Sequence, residues 1–154
     1  MPDKIDVTVA AVIEREDKYL IVEERVAGEH VFNQPAGHLE PGESLLEAVV
    51  REVGEETGFA FTPEALIGVS LWRAPDRTYL RVTFSGAAKA PAVTPQLDIG
   101  IIATHWLPRH ELLKKNLRSP LVMQSVDAYL SGARYPLELL ATLLPEPESI
   151  AKRA

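Results

Sequence analysis

The stretch GHLEPGESLLEAVVREVGEETGF, residues 37–59, decides how the rest of the chain is read. Ser44 is a good helix N-cap and Glu47 stands three residues on, so the two side chains can satisfy orphan backbone donors in a reciprocal capping box. Gly58 supplies the left-handed residue at which helices stop. The spacing therefore predicts a helix from Ser44 to Thr57. At helical periodicity Leu46, Val50, Val53 and Thr57 form one apolar stripe, while Glu52, Glu55 and Glu56 crowd the surface beside it. The crowding is unfavourable alone: like charges at i, i+4 repel by a few tenths of a kcal/mol, and Gly54 costs about 1 kcal/mol relative to Ala. A divalent cation reverses the sign. Mg2+ prefers carboxylate oxygens and is commonly completed by water and substrate phosphate, and Mn2+ is a possible substitute.

An acidic helix face is ordinarily just solvated. Here the flanks argue otherwise. The residues Gly37, Glu43, Arg51, Glu52, Val53, Glu55, Glu56, Gly58 and Phe59 fit G-x5-E-x7-R-E-U-x-E-E-x-G-U, with U apolar, without a gap. At average residue usage such a match has a chance on the order of one in ten million in a chain this long. The segment resembles the Nudix box. That resemblance implies an α/β (α+β) fold with a mixed β-sheet sandwiched between α-helices, and metal-dependent hydrolysis of a phosphoric anhydride. It also implies Glu52, Glu55 and Glu56 as metal ligands, joined by the backbone carbonyl of Gly37, with Glu52 deprotonating or orienting the attacking water. Arg51 and Glu43 suit another task, because an Arg within reach of acids on the box loop can lock that loop to the helix by charge-assisted hydrogen bonds.

The 154 residues suffice for a single domain with a substantial core. A formal net charge of -6 argues against a general nucleic-acid binder. Cysteine is absent, which excludes disulfides and thiolate metal sites. The opening MPDKIDVTVA lacks the apolar core of a signal peptide, and no apolar run approaches the roughly 20 residues of a membrane span. A cytoplasmic enzyme, monomeric or a homodimer, is the simplest reading.

Before the box, IDVTVAAVI (5–13) and Tyr19 to Val22 predict two antiparallel strands joined by a charged turn, with Glu23, Glu24 and Arg25 ending the second. Arg25 is either a surface charge or a planar fork for a substrate phosphate. His38, in the loop QPAGHLEPG, reads as a solvent-exposed histidine without a partner or as a neighbour of the metal. After the box, Ala60 to Glu64 predict a turn through Pro63, followed by strands at Ala65 to Trp72 and Tyr79 to Ser85 around the turn APDR. Trp72, Arg73, Arg77, Tyr79 and Arg81 put aromatic faces and guanidiniums together, as suits a heterocycle carrying phosphates, although such residues also occur on plain solvent-facing strands. Gly86 to Pro95 predicts a surface loop and Ile99 to Trp106 a strand. Asp98 lies between them, the position from which the Nudix resemblance implies a further acid, as metal ligand or base; capping of the loop is the other reading. PRHELLKK (108–115) and Leu121 to Ser131 predict helices, the second with an apolar face of Leu121, Val122, Val126, Tyr129 and Leu130. The apolar segment 137–144 packs on the core or on a second subunit, and residues of about 145–154 read as a mobile tail.

The segments FNQPAGHLE, WRAPDRTYLR and NLRSPLVMQSVDAYLSGARYPLE are similar to a bacterial phosphatase branch of the same family, departing at Phe32, where that branch carries Trp. This closer resemblance implies release of orthophosphate from nucleoside tri- and diphosphates and from hydroxymethylpyrimidine pyrophosphate. Hydrolysis of another nucleoside diphosphate derivative, a nucleotide sugar or a dinucleotide, stays open. A non-catalytic binding module fits worst, since all the box acids are present.

Overall fold

Strand β1 (Lys4–Val12) carries small and β-branched side chains on both sides, and Val9 to Val12 are all buried. A strand buried on both faces belongs inside a sheet. In the computed structural model, which describes residues 4–143, β1 lies between β5 (Ala36–His38) and β7 (Arg77–Lys89), with β6 (Ala60–Arg73) on the far edge of β7. The β1–β7 pair is parallel and the other two pairs are antiparallel.

Alternation across β1 divides the core. Val9, Ala11 and Ile13 meet Ala48, Val49 and Val53 of helix α1 (Leu45–Thr57), together with Phe61, Leu66 and Phe84. Val12 and Ile67 instead meet Val122 and Val126 of α3 (Leu121–Leu130). The sheet is thus mixed and lies between helices, as the resemblance implied. A second sheet stands beside it: β2 (Glu14–Arg15), β3 (Lys18–Val26) and β4 (Glu29–Asn33), with β8 (Ile101–Pro108) on the other edge of β3.

Several boundaries differ from the sequence reading. The first two predicted strands do not pair; they belong to different sheets, and one bond, Leu20 N–H to Ile13 O at 2.9 Å, links their ends. Strand β3 runs on to Val26, because residues 23–26 pair with β4 across a turn that places Ala27 and Gly28 at positive φ. Pro63 lies within β6 rather than in a turn. Proline is tolerated on an edge strand, and the pairing slips there between Pro63 and Ala65. Its partner is Gly86, where an added Cβ would overlap Thr62 O, so the glycine read as a loop start is a close backbone approach inside β7. A four-residue helix α2 (Arg109–Leu112) follows β8. Leu130 of α3 is exposed, and Ser125 joins Leu121, Val122 and Val126 on the buried face instead. Beyond α3, Tyr135 pairs with Leu66, and Leu137 and Leu140 pack on the core while Leu139 and Leu143 remain exposed. The tail of about 145–154 lies outside the described residues. Among the described residues no helix is long and apolar enough to cross a membrane.

Candidate active site

Helix α1 positions the acids. Ser44 caps it, its Oγ accepting from Glu47 N–H at 3.0 Å, and Gly58 closes it at φ 76°, donating to Gly54 O. The buried face is rotated roughly a quarter turn from the expected stripe. It consists of Ala48, Val49, Glu52, Val53, Glu56 and Thr57, while Val50 is exposed. Two of the three acids are therefore buried against the sheet, and Glu55 stays near the surface.

Arg51 holds this face to the preceding loop. Its Nε and one terminal nitrogen donate to the two Glu43 oxygens at 3.0 and 2.7 Å, and the same terminal nitrogen donates to His38 O at 3.0 Å. The other terminal nitrogen donates to Glu52 at 2.8 Å and Glu55 at 3.1 Å. Arg51 pulls the Glu43 carboxyl below its ordinary value, and Glu43 in turn raises Arg51. The loop is tied on a second side by Glu56, whose carboxylate accepts from Ala36 N–H at 2.8 Å. Gly37 sits on the Glu52 carboxylate so closely that a Cβ there would overlap it. Only glycine permits that approach.

Burial pushes the Glu56 carboxyl up to about 8; the Ala36 N–H works against this, and Glu24, Glu52 and Asp98 add to it. Glu52 is raised from the same cause, with Arg51 opposing. Asp98 donates its backbone N–H to Glu55 O at 3.0 Å and accepts from Ile101 N–H, so it joins the end of α1 to the start of β8 with its side chain exposed. Among the described residues no three acidic or histidine side chains converge on one centre, because Arg51 engages Glu52 and Glu55 while Ala36 engages Glu56. The donor set nonetheless fits a hard divalent cation: several carboxylates, two of them buried without enough positive charge, beside a backbone cradle that a Cβ would fill.

A cleft of about 280 Å³ opens next to Gly37, lined in part by Thr8, Asn33, Trp72, Tyr79 and Arg81. Trp72 and Tyr79 are cross-strand partners, stacked at 5.3 Å and 15°. Arg81 is 3% exposed, and one terminal nitrogen donates to Asn33 Oδ1 and Gln34 Oε1 at 3.2 and 3.3 Å. Burial pulls its guanidinium down to about 10, with Glu56 acting in the opposite sense.

Three of the expected substrate residues do not line this cleft. Arg25 and Arg73 each neighbour a cleft residue, Glu24 and Trp72, and alternation along a strand sends them to the opposite side. Arg77 is engaged by Asp6 and Asp76. His38 is exposed but not alone, lying 3.6 Å from Asp6. Glu24, Asn33, Arg118 and Ser119 line the cleft and were not singled out from the sequence. The NLRSP motif was the one available signal for the last two.

The NUDIX domain family model matches residues 4–125. The chain belongs to the Nudix hydrolase family. It is 46% identical over 139 residues to Phosphatase NudJ of Shigella boydii serotype 4 (strain Sb227), covering 89% of this chain and 91% of that one. Identity to Phosphatase NudJ of Escherichia coli (strain K12) is 45% over the same shares. A solved NUDIX hydrolase from Nitrosomonas europaea superposes with a TM-score of 0.88 at 49% identity, covering 91% of this chain and 98% of that one. Nudix hydrolases act on small pyrophosphate compounds and generally use divalent metal ions.

Proposed function

We propose that this Nudix hydrolase is a Mg2+-dependent phosphohydrolase of nucleoside tri- and diphosphates and of hydroxymethylpyrimidine pyrophosphate, releasing orthophosphate by water attack on phosphorus, with Mn2+ as a substitute metal. One observation carries the reading: the cleft that holds the Trp72–Tyr79 stack reaches Gly37, whose backbone rests on the Glu52 carboxylate. An aromatic platform for a heterocycle thus adjoins the acids. The resemblance to proteins named phosphatase NudJ supports orthophosphate as the released product.

Glu52, Glu55 and Glu56, with the Gly37 carbonyl, would hold the metal, and Asp98 stands at the end of α1 as a further ligand or as the base. When bound, the cation neutralises phosphoryl oxygens and lowers the pKa of a coordinated water. Glu52, in contact with Gly37 at the cleft, orients the attacking water or takes its proton. Arg51 keeps loop and helix in register through Glu43, so that Gly37 and Glu52 stay in contact. Trp72 and Tyr79 offer a ring face to the base, and Arg81, fixed by Asn33 and Gln34, presents a cation on the cleft wall.

Product analysis tests the reading. Wild-type protein with Mg2+ is given GDP, GTP, hydroxymethylpyrimidine pyrophosphate, ADP-ribose and a diadenosine polyphosphate. Orthophosphate from the first three is expected, and none with EDTA. Cleavage of ADP-ribose or the dinucleotide alone, with AMP among the products, would keep the box chemistry and overturn the substrate assignment.

A further inference from the structure

Two guanidiniums line the cleft, and they differ. Arg81 is buried with one nitrogen already held by two amide oxygens. Arg118 has a side chain 44% exposed, and its nearest acid is Glu24, with Nε to Oε1 at 3.7 Å. That separation is longer than a hydrogen bond. The two terminal nitrogens of Arg118 have no partner among the described residues.

The backbone beneath Arg118 is fixed. Phe32 N–H donates to Asn116 O at 2.9 Å, Arg118 N–H donates to Phe32 O at 2.9 Å, and Asn116 Nδ2 donates to His30 O at 3.1 Å. Phe32 and Leu117 form a parallel bridge, so residues 116–118 are stitched alongside β4, whose last residue, Asn33, also lines the cleft. On the other side Ser119 Oγ accepts from Leu121 N–H at 3.1 Å, anchoring the segment to α3. A planar fork of donors on a rigid support, left with idle N–H groups inside a ligand-sized cleft, is suited to anionic oxygens. The contact with Glu24 offers little resistance to exchange, because a long, half-exposed ion pair is weak.

We propose that Arg118 contacts the phosphates of the substrate, its guanidinium passing from Glu24 to the phosphate oxygens as the cleft fills. This inference rests on the proposed function, since it takes the cleft as the nucleotide site.

The test is calorimetric titration of the full chain, in Mg2+, with guanosine, GMP and the non-hydrolysable α,β-methylene analogue of GDP. Wild-type affinity is expected to rise with each phosphate. Arg118→Ala should lose about tenfold to hundredfold of affinity for the GDP analogue, the range for a hydrogen bond to a charged group, with guanosine binding and melting temperature unchanged. Arg118→Lys should recover part of the loss. Equal affinity of Arg118→Ala and wild type for the GDP analogue overturns the proposal, as does a loss of the same size for guanosine, or a wild-type affinity indifferent to phosphate. Hydrolysis by the wild type separates the two levels. Metal-dependent release of orthophosphate from GDP and GTP with an unaffected Arg118→Ala removes only this inference, whereas a wild type that releases no orthophosphate from GDP, GTP or hydroxymethylpyrimidine pyrophosphate removes the proposed function.

Discussion

Replacing Glu56 by Gln should make the metal-free protein more stable while abolishing turnover. Burial raises the Glu56 carboxyl from 4.5 to about 8 in the folded chain. Below pH 4.5 the group is protonated in both states and costs nothing; as pH rises toward 8 the unfolded chain ionises first, stability falls, and above 8 the loss is constant. At pH 7 the relevant interval runs from 4.5 to 7, and at about 1.4 kcal/mol per pH unit the loss amounts to about 3 kcal/mol. Gln carries no charge, and its amide oxygen can still accept from Ala36 N–H. For a domain of this size the relief corresponds to roughly 6–12 °C in melting temperature. Thermal melts of EDTA-treated wild type and Glu56→Gln across pH 5 to 8 give the answer. The two curves should nearly meet at the acid end and separate steadily toward pH 8. Parallel curves, or a variant less stable than wild type at pH 8, would refute the argument that Glu56 is a buried carboxyl short of positive charge.

Other variants probe the supporting contacts. Arg51→Ala removes the bidentate bond to Glu43 and the bond to His38 O, and should lower unfolding free energy by about 1–3 kcal/mol in denaturant titrations while kcat collapses. Gly37→Ala places a Cβ on the Glu52 carboxylate and should cut kcat at least about a hundredfold with far-UV circular dichroism unchanged. For Asp6, burial alone would raise the carboxyl, but Arg77 and Lys4 more than offset it and hold it below 3.8. Its contribution to stability is therefore present above pH 3.8 and lost as pH falls through the lowered value, so Asp6→Asn should flatten the acid limb of melting temperature against pH.

The caps of α1 were legible because they are local: Ser44 and Gly58 act within one turn of the chain. The orientation of the helix was not. Side-chain hydrophobicity favoured the stripe through Leu46 and Val50, yet the sheet takes the adjacent face with Ala48 and Val49, and so buries Glu52 and Glu56. No local rule places acids inward; the fold does so because Gly37 lets β5 approach them. The long strands β6 and β7 were cut short in the reading because Pro63 and Gly86 look like turn residues singly and become compatible with a sheet only as partners on its edge. The same limit applies to the cleft. Trp72, Tyr79 and Arg81 were noticed by proximity and residue type, and alternation in two strands places all three along it. Arg118 comes from a segment distant in sequence, joined to β4 through Phe32 and His30.

The central claim is that the acids of α1 hold the divalent cation that makes the cleft catalytic. Titration of the metal-free chain with Mn2+, followed by the electron paramagnetic resonance signal of the free ion, tests it most directly, with wild type compared to the Glu52→Gln, Glu56→Gln double variant. Wild type is expected to deplete the free signal, and the folded double variant is expected to leave it undiminished. Undiminished Mn2+ binding by that variant would place the metal elsewhere and contradict the claim.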